Sequence, residues 1–254
     1  MTEVVTTCSP AGSSTASPPA AAPRVCDRLS WRAIAAPGAK AILRLWKPFV
    51  VIQFCGLAVV LAYFHVPAFN AFCGHLATLK AQGGFLFSAV VMSVASGFVP
   101  ELMKYLTGVD RVVDRRRWRN IAFAMALFAV SGVFCDAFYR LLTIVFGDNN
   151  RPLTVLAKVA CDQFAFTPTF GLGTIALAYA WRAERYSLKA LYHNASLRWY
   201  IRIVGRLAVP CWIYWIPMAS LMYVLPSSLT FVFGATAAAA SSLIFIAVAS
   251  GEKG

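Results

Sequence analysis

Two pairs of opposite charges stand inside otherwise apolar stretches: Asp136 with Arg140, and Lys158 with Asp162. Each pair is four residues apart, a spacing that puts both side chains on one face of a helix. A charge at the centre of a bilayer costs about 2.5–3.5 kcal/mol on insertion scales, so pairing within or across helices is expected. Gln163 adds an amide beside one of the carboxylates, and a proline at 168 leaves a carbonyl one turn earlier without its helical donor. Two readings of the group Asp136, Arg140, Lys158, Asp162, Gln163 and Pro168 stay open. In one, the charges are ion pairs snorkelling at helix ends; in the other, they form a polar vestibule at the mouth of a solute path. Neither is catalytic. The chain has no GxGxxG, P-loop, GxSxG or HExxH pattern, and His65, His75 and His193 lack ligand spacing. Its seven cysteines contain no CxxC pair and read as small buried hydrophobes. An enzyme is not expected, and no metal or cofactor is implied.

The elements that must carry these residues are helices in a membrane. Of 254 residues, 59% are hydrophobic and 13% charged, where a soluble domain carries about 25% charge. Too few polar groups remain to cover a soluble surface, and the mean hydropathy of +0.67 agrees. The expected fold is all-α, a polytopic helical membrane protein with five to six hydrophobic segments. They fall near residues 48–66, 81–100, 120–146 and 153–181, followed by the uncharged run 207–250. That last run is about twice the ~20 residues of one span, and Pro226, Ser227 and Ser228 supply its turn. Its first half, the fifth segment, contains Pro210 and Pro217, which remove backbone donors. A span and a re-entrant segment are both compatible with that half. Residues 1–40 read as a disordered or targeting tail, without the apolar run of a secretory signal, and 41–254 as a single helical membrane domain.

The net charge is +13. In this context it points to basic loops against anionic lipid and not to nucleic acid. Counted over alternate connections, Lys and Arg total 19 on one side against 4 on the other, a positive-inside asymmetry with both termini on the basic side. Lys80 is counted here in the short connection between the first two segments. Arg198, Arg202 and Arg206 recur every four residues and suggest an amphipathic helix in the interface, arginines toward lipid phosphates. Residues 115–119 (RRRWR) read as a solvated loop. Gly234, Ala238 and Ser242 form a small-residue stripe that suits close helix packing, inside the chain or in a homo-oligomer.

Residues 162–168 (DQFAFTP) resemble the D-Q-x-x-x-x-P motif of the Mpv-seventeen and peroxisomal 22-kDa membrane protein family. Gly132, Phe138, Tyr139 and Leu142 are similar to its G…W-Y-x-x-L element, with Phe in place of Trp, and Lys158 to a basic position before D-Q. Trp212, Trp215, Pro217 and Pro226 are similar to its closing W-x-x-W-P…V-P element, although residues 218–223 (MASLMY) lack that element's polar groups. The resemblance spans about residues 45–250 and is specific at 132–168. It implies a small multi-span protein of a peroxisomal or inner mitochondrial membrane with channel-like permeability for small hydrophilic solutes; a bacterial inner membrane is also compatible. The alternative is a non-conducting structural or assembly protein. Expected partners are the bilayer and its anionic headgroups.

Overall fold

The computed structural model describes residues 31–106, 108, 112–194 and 196–251, and of residues 31–45, 48, 194 and 243–251 the backbone alone. Among the described residues the chain is helical, with no strand. In order the elements are α1 (Trp31–His65), α2 (Pro67–Met92), a π-helical segment π1 (Ser93–Phe98), α3 (Val99–Leu106) and α4 (Arg115–Phe146). Then come α5 (Pro152–Ala160), a second π-helical segment π2 (Cys161–Gly171), α6 (Leu172–Ala183), α7 (Leu188–Asn194), α8 (Leu197–Val224) and α9 (Ser227–Gly251). Three helical stretches are long and apolar enough to cross a membrane: Pro67–Leu106, Arg115–Phe146 and Leu197–Val224.

Several boundaries differ from those expected. Residues 1–30 of the expected tail lie outside the described residues, but 31–40 belong to α1. The run WRAIAA supplies good helix formers, which moves the start of the helical domain from 41 to 31. The first connection is shorter than expected. α1 ends at His65, Val66 is extended (φ −112°, ψ 103°), and Pro67 opens α2, where its missing N–H costs nothing. Lys80 is therefore not in a connection: it lies within α2, buried at 6% exposure. Residues 115–119 are likewise helical and not a loop. Asp114 caps α4 by accepting from Arg117 N at 2.7 Å, and the buried Arg117 donates to the Glu101 carbonyl at 2.7 Å.

The run 207–250 divides where expected, with Leu225 and Pro226 between α8 and α9. Its first half belongs to a longer helix, one of the stretches long and apolar enough to cross a membrane. α8 is one unbroken helix of 28 residues with both prolines inside, about 42 Å long at 1.5 Å per residue. Near the second proline α1 is tied to α8: Gln53 Nε2 donates to Tyr214 O at 2.8 Å. α9 is the hub, touching α1, α2, α3, α4, π1 and α8. Within its small-residue stripe, Gly234 is used inside the chain, since a Cβ there would meet Met222 Sδ at 3.0 Å and Tyr139 Oη at 3.6 Å.

Candidate functional site

The surface of the bundle is apolar: Ile144, Leu153 and Leu86 are 80%, 78% and 73% exposed. Its interior holds Lys80, Ser88, Asp136, Lys158, Asp162 and Gln163, all buried. That inversion suits a lipid surround, because buried charges need partners and apolar side chains need none.

Asp136 is the centre of the first group. Its Oδ2 accepts from Lys80 Nζ at 2.7 Å and from Ser88 Oγ at 3.0 Å, both on α2. Arg140, half-exposed, stands 3.4 Å from the same oxygen and lies over the Phe85 ring at 4.7 Å. The expected Asp136–Arg140 pair exists, but the buried partner comes from another helix. Two glycines make this possible. Gly84 breaks α2 with φ +51°, a conformation that L residues rarely adopt, and its carbonyl accepts from both Lys80 Nζ and Ser88 Oγ at 3.3 Å. Gly132 lets α4 approach α2 so closely that a Cβ would meet Ser88 O at 2.5 Å.

Asp162 is the centre of the second group, and its expected partner is not there. Among the described residues, no cation lies within 4.0 Å of its carboxylate. Tyr223 Oη of α8 donates to Asp162 Oδ2 at 3.0 Å instead. The local cause is π2. In a π turn the repeat is i→i+5, so Asp162, at i+4 from Lys158, falls short of the Lys158 face. Pro168 in turn explains why the π segment is held. The donor missing at Pro168 would have served Gln163 O in i→i+5 geometry, and Trp212 Nε1 of α8 occupies that carbonyl at 2.7 Å. Tyr200 Oη donates to Pro168 O at 2.9 Å, next to Gly173, where a Cβ would collide with that hydroxyl. Gln163 is 1% exposed, and its Oε1 has no hydrogen-bond partner.

The two groups are neighbours. Cys135 on α4 lies within electrostatic range of both Asp136 and Asp162. Around them Phe138 stacks on Phe166 at 4.1 Å, Tyr139 meets Tyr223 edge-on at 6.0 Å, and Leu142 is buried. A cavity of about 90 Å³ lies alongside, lined chiefly by apolar side chains, Met92, Phe128, Phe134, Phe166, Phe170 and Ile175, and a cavity so lined offers too few polar partners to hold water.

No family model, curated protein or solved structure matches the chain. Gly132, Phe138, Tyr139, Leu142, Asp162, Pro168 and Trp212 all pack within or against these two groups.

Of the sequence candidates, Asp136 and Arg140 meet in one group and Asp162, Gln163 and Pro168 belong to the other; Lys158 is buried one turn away, with Asp148 as the acid in its electrostatic range. Sequence reasoning missed Lys80, Ser88, Tyr223 and the roles of Trp212 and Tyr200. A signal for Lys80 was present, since the thirteen residues from Pro67 to Leu79 carry no Lys, Arg, Asp or Glu. Arg198, Arg202 and Arg206 form an exposed stripe along the first turns of α8, in line with α8 as a long helix and distant in sequence from the buried charges. Among the described residues no group of His, Cys, Asp and Glu could hold a metal ion.

Proposed function

We propose that the protein is a six-segment membrane protein that forms or regulates a pathway for small hydrophilic solutes, with the Asp136 and Asp162 groups as its polar core. The observation that carries this reading is the placement of two buried carboxylates at departures from regular α geometry, Asp136 facing one across a helix contact and Asp162 lying inside the other. α2 is broken at Gly84, and the helix after Pro152 widens at Cys161. Broken or widened helices with polar groups at mid-length are a common means of building solute and ion sites in membranes, and intramembrane charges mark such paths. The family resemblance points to the same function and to an organelle membrane, and the arginine stripe of α8 suits anionic headgroups.

The charge asymmetry supports the topology more strongly once the helices are placed. Of the four cations first counted on the sparse side, Lys80 and Lys158 are buried within helices and Arg140 lies beside Asp136 on α4. Only Arg151 remains on a connection there. Single cysteines at Arg116 and Asn149, both exposed, should be labelled from opposite faces of sealed vesicles by an impermeant maleimide. Labelling of both from one face would remove the six-segment layout.

A second reading has its own support. The Asp136 group is internally satisfied by Lys80, Ser88 and Arg140, as a structural staple would be. Solute efflux from liposomes holding the purified protein separates the two. A pathway predicts flux above protein-free vesicles and at least a several-fold change in Asp162→Asn. Absence of flux from well-folded, correctly inserted protein would leave the staple.

A further inference from the structure

Lys158 is a buried cation to which the chain gives no partner. Among the described residues three cations are buried: Lys80, Arg117 and Lys158. Lys80 has the Asp136 carboxylate at 2.7 Å, and Arg117 donates to the Glu101 carbonyl at 2.7 Å. Lys158, 4% exposed, makes neither a hydrogen bond nor a salt bridge among the described residues. Asp162, four residues on, accepts from Tyr223. The acid in electrostatic range of Lys158 is Asp148, on the connection before α5. It is exposed, forms no ion pair with Lys158, and accepts from Ser227 Oγ of α9 at 2.8 Å. A buried ammonium left without an anion is costly.

The position is one that a ligand can reach from outside the bundle. Lys158 stands six residues into α5, about 9 Å along the axis from Pro152. The side-chain atoms that are both sealed and unpartnered among the described residues are Gln53 Oε1, Ser96 Oγ, Gln163 Oε1 and Trp181 Nε1. Lys158 Nζ is unpartnered but not one of them, so it keeps an opening. Thr154 lies one turn nearer the start of the helix on the same face, and its hydroxyl also makes no hydrogen bond. Arg151, exposed, occupies the N-cap position just before Pro152. From the rim inward the helix thus offers a guanidinium, a free hydroxyl and a free ammonium. We infer that Thr154 and Lys158 form an entry site for a small oxyanion, a carboxylate or a phosphate taken from the aqueous phase, with Arg151 at its rim. The ammonium supplies the charge and the strongest donor, and the hydroxyl donates a second bond. Asp148 opposes binding through its own charge, which keeps the site from holding an anion too tightly to release it.

The inference deepens the proposed pathway by naming its solute as an anion, but its test reads equilibrium binding, so failure of binding and failure of flux are separate results. The full-length protein in a maltoside detergent, which carries no phosphate, is melted while sodium phosphate replaces sodium chloride at fixed ionic strength and pH. The wild-type Tm should rise by about 3 °C once phosphate reaches ten times its dissociation constant. Lys158→Gln should remove the rise. Asp148→Asn keeps an acceptor for Ser227 Oγ and loses only the opposing charge, so it should enlarge the rise; it also keeps the test decisive if Lys158→Gln does not fold. The rise should persist in phosphatidylcholine nanodiscs. No rise in the wild type, an equal rise in Lys158→Gln, or no gain in Asp148→Asn would overturn the inference. So would a rise in detergent that vanishes in nanodiscs, because the occupant would then be a lipid phosphate and not a solute.

Discussion

Asp136→Asn should lower the stability of the purified protein by about 3–5 kcal/mol, the usual cost of leaving one member of a buried ion pair alone. The buried ammonium is Lys80, whose Nζ loses the anion 2.7 Å away and keeps neutral contacts alone: an amide oxygen, the Gly84 carbonyl and the Phe231 ring. Lys80→Met alone should cost a comparable amount, because the Asp136 carboxylate would then retain only Ser88 and the half-exposed Arg140. Combining Lys80→Met with Asp136→Leu removes both charges and is expected to recover most of the loss, since an apolar pair of similar volume is often as stable as the ions it replaces. Arg140→Gln should cost under about 1 kcal/mol, as expected of an exposed partner. Thermal unfolding in detergent across these variants measures the coupling. If Asp136→Asn and Lys80→Met acted additively, the pair would not be the link between α2 and α4.

Helix class, the Pro226 turn and the end of α4 at Phe146 were legible in the sequence because each rests on a local signal: a long apolar run, a proline, a glycine at 147. The start of α2 was not, because Lys80 looks like a loop residue to any reading that treats a cation as a marker of water. What makes it an interior residue is Asp136, fifty-six positions later, and no periodicity within one segment reports a partner on another. The same limit explains Tyr223 and Trp212. Both lie on α8, and both are called into place by features of π2: the Asp162 carboxyl and the carbonyl that Pro168 leaves open.

The candidate site was legible as a set of expensive residues and illegible as a set of pairs. Asp136 and Arg140, four apart on a regular α-helix, do meet at 3.4 Å. Lys158 and Asp162 have the same spacing, yet a change of helical repeat begins between them at Cys161. Pro168 is the visible cause, but it acts backward along the chain, and whether a proline kinks a helix or widens it depends on which neighbour satisfies the freed carbonyl. Here that neighbour is an indole from another helix.

This difference between two identical spacings makes the second large prediction. Asp162→Lys replaces a neutralisable acid with a cation in a site that offers phenols, thiols and an amide. Its expected cost is at least the ~2.5–3.5 kcal/mol of an unpaired charge in the bilayer interior, with loss of monodisperse protein on size exclusion. Were Lys158 and Asp162 partners, adding Lys158→Asp would restore the pair with its signs exchanged. The geometry argues that it does not. The acid at 158 would stand one α turn from a cation that the π repeat has turned away toward Tyr223, and the double variant should remain as damaged as Asp162→Lys. Asp162→Asn, by contrast, keeps an acceptor for Tyr223 Oη, so its melting temperature should stay within a few degrees of the wild type. Recovery of the double variant to near wild-type stability would mean that Lys158 and Asp162 face each other in the folded protein, and the assignment of Tyr223 as the partner of Asp162 would have to be abandoned.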